Sequence, residues 1–255
     1  MGIYITGDLH GDYTRFEDER LSKLGKNDFL IVCGDFGFIW AVEKNSDDFE
    51  IKVENHHLDD IEKTLPYTLL FIDGNHENFD RLEAYPEVAM FGGKVRKIRE
   101  NIFHLQRGRV YTVEGKRFFC FGGAASIDKY MRIENVSWWA RELPQAFEYD
   151  TATQSLKDCD FKLDYIITHT APVEVVKTMG FNPYLSQDME LMSYLSYVME
   201  KTDFQQWFFG HWHTDESIEL TNSNLFSRNR KSGESIKSQV KSFIAIYKNI
   251  AAVTD

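Results

Sequence analysis

Five short apolar runs in this chain stop in the same way: within two residues of each run's end the sequence presents Asp, Asn or His. Ile3–Thr6 is followed by Gly7-Asp8-Leu9-His10-Gly11-Asp12, and residues 29–33 by Gly34-Asp35-Phe36-Gly37. Residues 68–72 lead into Asp73-Gly74-Asn75-His76-Glu77, Tyr165–Thr168 into His169-Thr170-Ala171-Pro172, and Gln206–Phe209 into Gly210-His211-Trp212-His213. The pattern points to an α/β sheet, where loops at the carboxyl ends of strands line the ligand crevice while the strands hold them rigid. At four of the five junctions a glycine stands directly before an Asp, Asn or His, permitting the sharp turn and close backbone approach that a packed ligand cluster requires. Asp, Asn and His offer oxygen and imidazole nitrogen donors, the set suited to Mn, Fe, Zn or Ni rather than to a thiolate site.

Each piece alone is commonplace. Gly-Asp is a frequent turn pair, and a lone His is more often hydrogen-bonded than a ligand. The ordered set is what separates a ligand constellation from coincidence. Five of the eight histidines fall in these loops; His56 and His57 lie in a charged helix-like stretch and His104 in a β run, and those three read as structural.

With 255 residues the chain can bury a real core, and its 43% hydrophobic content is that of an ordinary globular protein. No repeat or linker interrupts it, so one domain over residues 1–255 is expected. Helix-like spacing covers 13–24 and 46–64, the latter with Phe49, Val53, Leu58, Ile61 and Leu65 and ended by Pro66. From 88 to 121, runs at 95–98, 102–105, 110–113 and 117–121 are split by glycines, the pattern of antiparallel strands and hairpins. An aromatic insertion follows at about 127–147. Helices are expected near 151–159 and 188–201, and a last strand at 243–247 after a polar loop at 222–238.

Cys33, Cys120 and Cys159 are odd in number and form no Cys-x-x-Cys, which reads as free thiols in a reducing compartment. The apolar runs fall short of the ~18–20 residues of a membrane span, and no leader is seen, so a soluble cytoplasmic protein with no membrane partner is expected. A net charge of -11 repels polyanions, which disfavours extended nucleic-acid binding; the one short basic segment is Arg228, Arg230 and Lys231.

In order, the five blocks resemble the motif series of the calcineurin-like metallophosphoesterases: Asp-x-His, Gly-Asp, Gly-Asn-His, a lone His, then Gly-His-x-His, spread here from Asp8 to His213. The first and third blocks look like those of protein Ser/Thr phosphatases and dinucleoside tetraphosphatases. Phe121-Gly122-Gly123-Ala124, Asp128-Lys129, Arg132 and Trp138-Trp139 resemble a bacterial and phage-borne branch without a clearly assigned substrate. The resemblance implies an α/β fold of four layers, an αββα sandwich of two mixed sheets flanked by helices. It implies that Asp8, His10 and His213 hold one metal, that Asn75, His169 and His211 hold the other, and that Asp35 bridges both. His76 would stand outside the metal shell and face the phosphoryl group. The implied cofactor is a pair of divalent transition-metal ions, Mn²⁺ foremost, with Fe, Zn or Ni as alternatives. One block departs: phosphoprotein phosphatases extend the second motif to Gly-Asp-x-x-Asp-Arg, whose second Asp orients the catalytic His and whose Arg clamps phosphate. Here it reads Gly34-Asp35-Phe36-Gly37-Phe38, with neither. Protein-phosphatase activity therefore does not carry over, and Asp73 and Glu77 read as structural.

Such a centre implies phosphoester hydrolysis in which two cations about 3.5–4 Å apart acidify a bridging water for in-line attack. The imidazole of His76 would add about 10²–10⁴ in rate. The expected partner is a compact substrate: a phosphomonoester, a nucleotide or a small phosphodiester. Lys129, Arg132 and Arg141 are candidate substrate contacts, since guanidinium forks suit phosphate, against the alternative of surface charges paired with local acids. Trp138 and Trp139 are expected to pack the insertion rather than stack on a base. The rival readings are a nuclease and a non-catalytic scaffold; a scaffold would be expected to lose ligands, and all eight motif positions are present.

Overall fold

The computed structural model describes residues 1–43, 48–221 and 240–253; the polar loop at 222–238, with Arg228, Arg230 and Lys231, lies outside the described residues. The first three apolar runs form β1 (Ile3–Thr6), β2 (Phe29–Val32) and β3 (Thr68–Phe71), paired in parallel and covered on both faces. Double coverage is why these strands read as unbroken apolar runs and not as alternation. The crossover from β2 to β3 is α1 (Phe49–Thr64), started by the Asp48 carboxylate accepting from the Glu50 N–H and closed by Leu65 N–H on the Ile61 carbonyl. Residues 13–24 form two short 3₁₀ turns, Tyr13–Glu17 and Leu21–Lys23, instead of one helix. The Asp18 carboxylate takes the Arg20 N–H and guanidinium, giving the backbone a local alternative that splits the helix-like stretch.

After α2 (Phe79–Ala84) come β4 (Glu87–Met90), β5 (Gly93–Arg99) and β6 (Ile102–Leu105), an antiparallel series whose last member runs parallel to β3. The chain then leaves for a second sheet with β7 (Arg109–Val113) and β8 (Lys116–Phe121). The strands expected between 88 and 121 thus divide between two sheets, because the switch falls at Gln106-Arg107-Gly108, where Arg107 is drawn to Asp73 and Gly108 packs on the backbone at Ala152. There follow α3 (Ala146–Asp158), β9 (Tyr165–Thr168), α4 (Val173–Thr178), α5 (Met189–Lys201), β10 (Gln206–Phe209), β11 (Glu216–Leu220) and β12 (Lys241–Ala245). The chain finally returns to the first sheet as β13 (Ile250–Ala252).

The sheet orders are β13-β1-β2-β3-β6-β5-β4 and β11-β12-β10-β9-β8-β7. Strand alternation sorts the apolar side chains into three cores. Ile5, Ile31, Leu70 and Phe103 meet Phe118, Cys120, Ile167 and Phe208 between the sheets. Leu30, Val32, Leu69 and Phe71 face Leu58 and Ile61 of α1 on the outside of the first sheet. Phe119, Phe121, Ile166, Trp207 and Phe209 face α3, α4 and α5 on the outside of the second. The fold is therefore a mixed α/β sandwich with helices outside two mixed sheets. Cys33, Cys120 and Cys159 are free thiols. Among the described residues no helix is long and apolar enough to cross a membrane.

The layering predicts unequal costs for two truncations. Leu70, fully buried between the sheets, should lose about 2–5 kcal/mol of stability as Leu70→Ala in urea unfolding. Phe49, 78% exposed at the start of α1, should change by no more than about 0.5 kcal/mol as Phe49→Ala. Equal effects would contradict the assignment of layers.

Candidate metal centre

Parallel strands β1, β2 and β3 in one sheet and β9 and β10 in the other deliver their carboxyl-end loops to one place. The Asp35 carboxylate lies at its middle, fully buried, with its two oxygens turned to different neighbours. Oδ2 lies 3.7 Å from His10 Nε2, which is 3.0 Å from His213 Nε2, and that nitrogen is 3.2 Å from Asp8 Oδ2. Oδ1 lies 3.3 Å from His169 Nε2. On that side Asn75 Oδ1 is 3.2 Å from His169 Nε2 and 3.0 Å from His211 Nδ1. The side chains named at sequence level as one metal's ligands, and those named as the other's, thus form two donor clusters that share Asp35.

Backbone geometry makes this approach possible. At Gly34, φ is +94° and an added Cβ would fall 2.2 Å from His169 Nδ1; at Gly74 it would fall 2.1 Å from Asp35 Oδ1. Asp35, His10, His211 and His213 themselves adopt positive φ, sparsely populated for residues with a side chain. Hydrogen bonds hold these turns: His76 N–H donates to Asp35 Oδ1 at 2.7 Å, and His211 N–H to the Asp8 carboxylate at 3.1 Å. His169 Nδ1–H donates to the Cys33 carbonyl at 2.7 Å, which fixes the ring and turns Nε2 toward Asp35.

The donors also control one another's charge. Burial opposes ionisation of Asp35, but the imidazoles of His169, His76 and His10 prevail and hold its carboxyl far below the usual range. Burial likewise disfavours the His169 cation, yet Asp35 and Asp8 raise it to about 10. Burial and the His169 cation push His211 down to about 4. Two buried carboxylates thus draw positive charge into the cluster, carried by His169 here, and the Asp, Asn and His side chains around it are the donor types that suit borderline divalent cations.

His76 lies beside the first cluster. One of its ring nitrogens is within 4.8 Å of ligand atoms of His10 and Asp35, and its Nε2 is 3.5 Å from Arg132 Nη2. Trp40 stacks on its ring at 5.2 Å. Burial lowers its pKa, with Asp35 opposing and His10 and Arg132 adding to the fall. Asp73 and Glu77 serve the loops: Asp73 pairs with Arg107 and His104, and Glu77 accepts the Phe36 N–H at 2.8 Å.

The three basic residues of the insertion go to different places. Arg132 reaches His76 while paired with Asp128 at 2.8 Å. Lys129 sits over the Trp138 ring at 5.0 Å, and Arg141 pairs with Asp80 and Glu83 of α2. Trp139 is core, its Nε1–H donating to Asp80 at 2.9 Å.

Four neighbours of the cluster were not singled out at sequence level. Trp40, Ser126 and Glu142 carry no spacing signal. Tyr247, stacked on His213 at 4.4 Å, is the last residue of the strand expected at 243–247; β12 ends at Ala245, so Tyr247 stands past a strand end, as the motif residues do. Arg15 ties the first and last loops together, donating to the Asp8 carbonyl at 2.9 Å and the Tyr247 carbonyl at 2.8 Å.

No curated protein sequence matches the chain. Among solved structures, Phosphopantetheinyl Hydrolase (PptH) from Mycobacterium tuberculosis is similar over 96% of this chain and 89% of its own, at 14% identity and a TM-score of 0.40. The profile of the family described as Calcineurin-like phosphoesterase matches residues 1–215. That match takes in every junction loop from Asp8 to His213, and the chain belongs to the calcineurin-like phosphoesterases, a family of metal-dependent phosphoester hydrolases with dinuclear divalent centres.

Proposed function

We propose that this chain hydrolyses a compact phosphoester at a pair of divalent cations, Mn²⁺ foremost. Asp8, His10 and His213 are assigned to one ion, Asn75, His169 and His211 to the other, and Asp35 to both. The observation that carries this reading is the divided Asp35 carboxylate, one oxygen toward each donor cluster. Bound there, the cations supply Lewis acidity that lowers the pKa of water and polarises phosphoryl oxygens. The free thiols are in keeping with a reducing, cytoplasmic setting.

The protein's own part centres on His76 and Arg132. Arginine has only donors, so His76 Nε2 accepts in this contact and its proton resides on Nδ1. Arg132 is oriented by Asp128 and by donation to the Ser137 carbonyl at 3.0 Å, so its remaining N–H groups are aimed at the space beside His76. A phosphoryl group there would be gripped by the guanidinium. As the phosphorus–leaving-group bond breaks and the water oxygen bonds to phosphorus, the neutral His76 would stabilise the negative charge on the leaving oxygen by donating a hydrogen bond from its ring N–H. The proton that oxygen finally takes is the one released by the attacking water. Lys129 and Arg141, held elsewhere, are given no part in this step.

Three outcomes are expected. Asp35→Asn should lower metal content at both positions and abolish hydrolysis; elemental analysis still finding two tightly bound ions per chain would refute the bridge. His76→Asn should keep both ions and lose about 10²–10⁴ in kcat, whereas purification without metal would move His76 into the metal shell. Small phosphate mono- and diesters, assayed with Mn²⁺, Ni²⁺, Zn²⁺ or Fe²⁺ beside long single- and double-stranded nucleic acid at low and moderate ionic strength, should be the better substrates. Cleavage at internal positions of long polymers with a steep salt dependence, and no turnover of small esters, would replace the compact substrate with a nuclease reading.

A further inference from the structure

Asn75 is the one carboxamide in the donor set, and a carboxamide has two unlike ends. Its oxygen can ligate a cation; its NH₂ group repels one. Some feature must therefore choose which end faces His169 and His211. The loop after β8 and the turn Ala140–Glu142, both outside the motif series, meet at that point.

Asn75 Nδ2 lies 3.3 Å from Ser126 Oγ, and Ser126 Oγ lies 3.0 Å from Glu142 Oε1. The other Glu142 oxygen accepts the Ser126 N–H at 3.0 Å, and the Trp139 N–H lies 3.4 Å from Oε1. These groups are buried. The direction of the chain follows from elementary valence. Burial pushes the Glu142 carboxyl up, against the Ser126 N–H, the Ser126 hydroxyl and the Trp139 N–H, which hold it down. As the common acceptor of these three donors, the carboxylate accepts the one O–H of the Ser126 hydroxyl. Its oxygen is then left to accept, and the group opposite must be a donor. Asn75 meets that demand only with NH₂ toward Ser126, which sends Oδ1 toward His169 and His211.

The frame around this chain is equally constrained. Arg107 Nη2 donates to the Arg141 carbonyl at 2.8 Å and the Glu142 carbonyl at 3.2 Å, while its Nε donates to Asp73 Oδ2 at 2.7 Å. The same guanidinium thus clamps the backbone of Glu142 to a residue two positions before Asn75. Gly123, at φ +93°, leaves room for it: an added Cβ would stand 2.6 Å from the Glu142 carbonyl oxygen and 3.0 Å from Arg107 Nη2.

We propose that Ser126 and Glu142 are positioning residues that fix the orientation of the Asn75 carboxamide and thereby set the affinity of one of the two metal positions. The inference rests on the proposed assignment of Asn75 as a ligand. It gives the aromatic insertion a part in building the centre through Glu142.

Calorimetric titration of the metal-free protein with Mn²⁺ tests it. Glu142→Gln keeps the volume but reverses the chain. Of the two backbone N–H groups on the carboxylate, that of Ser126, at 3.0 Å, makes a shorter bond than that of Trp139, at 3.4 Å, and keeps the amide oxygen. The amide NH₂ then faces Ser126 Oγ and the hydroxyl proton turns to Asn75. Glu142→Gln and Ser126→Ala should each weaken one equivalent about 10–100-fold and leave the other within about twofold, as losses of supporting hydrogen bonds around metal ligands do. Adding Asn75→Asp to Glu142→Gln should restore the weakened equivalent, because a carboxylate accepts at both ends and needs no orientation. Wild-type binding of both equivalents in Glu142→Gln and Ser126→Ala, with one equivalent lost in Asn75→Ala, would overturn the positioning role while leaving Asn75 a ligand. Two intact equivalents in Asn75→Ala would overturn the ligand assignment and this inference with it. Equal weakening of both equivalents, unrelieved by Asn75→Asp and with a lowered Tm of the metal-free protein, would reduce the pair to a structural role.

Discussion

The contact between Asp35 and His169 joins the two sheets at their common edge. Asp35 leaves β2 and His169 leaves β9, and their side chains meet at 3.3 Å with neither exposed to solvent. Burying an unpaired carboxylate costs far more than any single loop contact returns, so the pair must be made whenever the sheets pack. The rest follows from that requirement. The sheets must stack in the register that brings β2 and β9 together, their neighbours β1, β3 and β10 must be parallel to them, and the intervening turns must be short. The positive φ at His10, Asp35, His211 and His213 is the local expression of the same demand. At Asp35 and His211 the turn is held by hydrogen bonds from the His76 N–H to the Asp35 carboxylate and from the His211 N–H to the Asp8 carboxylate, so these carboxylates support the backbone around them.

Much of this was legible in the sequence because buried parallel strands write themselves plainly. β1, β9 and β10 begin and end where their apolar runs do, and the ligand loops start one or two residues later. What escaped has physical reasons. α2 and α4 span six residues each, under two turns, too short for a helical period to declare itself. β11 is a polar edge strand with Glu216, Ser217 and Glu219 among its five residues, and β13 has three residues. The apolar pattern between 88 and 121 locates strands but does not say which sheet receives them. That choice is made by Arg107, whose buried pairing with Asp73 is a contact across 34 positions.

The strand-end rule reaches further than the five motif loops. β6, β8 and β12 are also parallel members of their sheets, and their carboxyl ends carry Arg107, Ser126 and Tyr247. Each touches a motif loop: Arg107 at Asp73, Ser126 at Asn75, Tyr247 by stacking on His213. These three residues are drawn from the same edge as the motif residues because side chains from both sheets converge there. They lack a recognisable spacing, since a Ser, Arg or Tyr after an apolar run is ordinary until its partner across the edge is known.

The departure in the second motif has a counterpart in the fold. Where phosphoprotein phosphatases carry an Asp and an Arg three and four residues after the motif Asp, this chain has Phe38 and Ile39, both buried in the outer core beside Phe36, which is stacked on Phe71 at 4.2 Å. That segment is committed to packing, so whatever flanks His76 has to arrive from elsewhere. It arrives as the Trp40 ring and the Arg132 guanidinium, the latter supplied by the insertion. The exchange is not neutral. A carboxylate beside an imidazole favours its charged form, whereas burial and a nearby guanidinium both disfavour it, and His76 is held below the ordinary histidine range even with Asp35 opposing. A histidine so placed favours its neutral form, and the positive charge at this point of the cleft is that of Arg132 beside it.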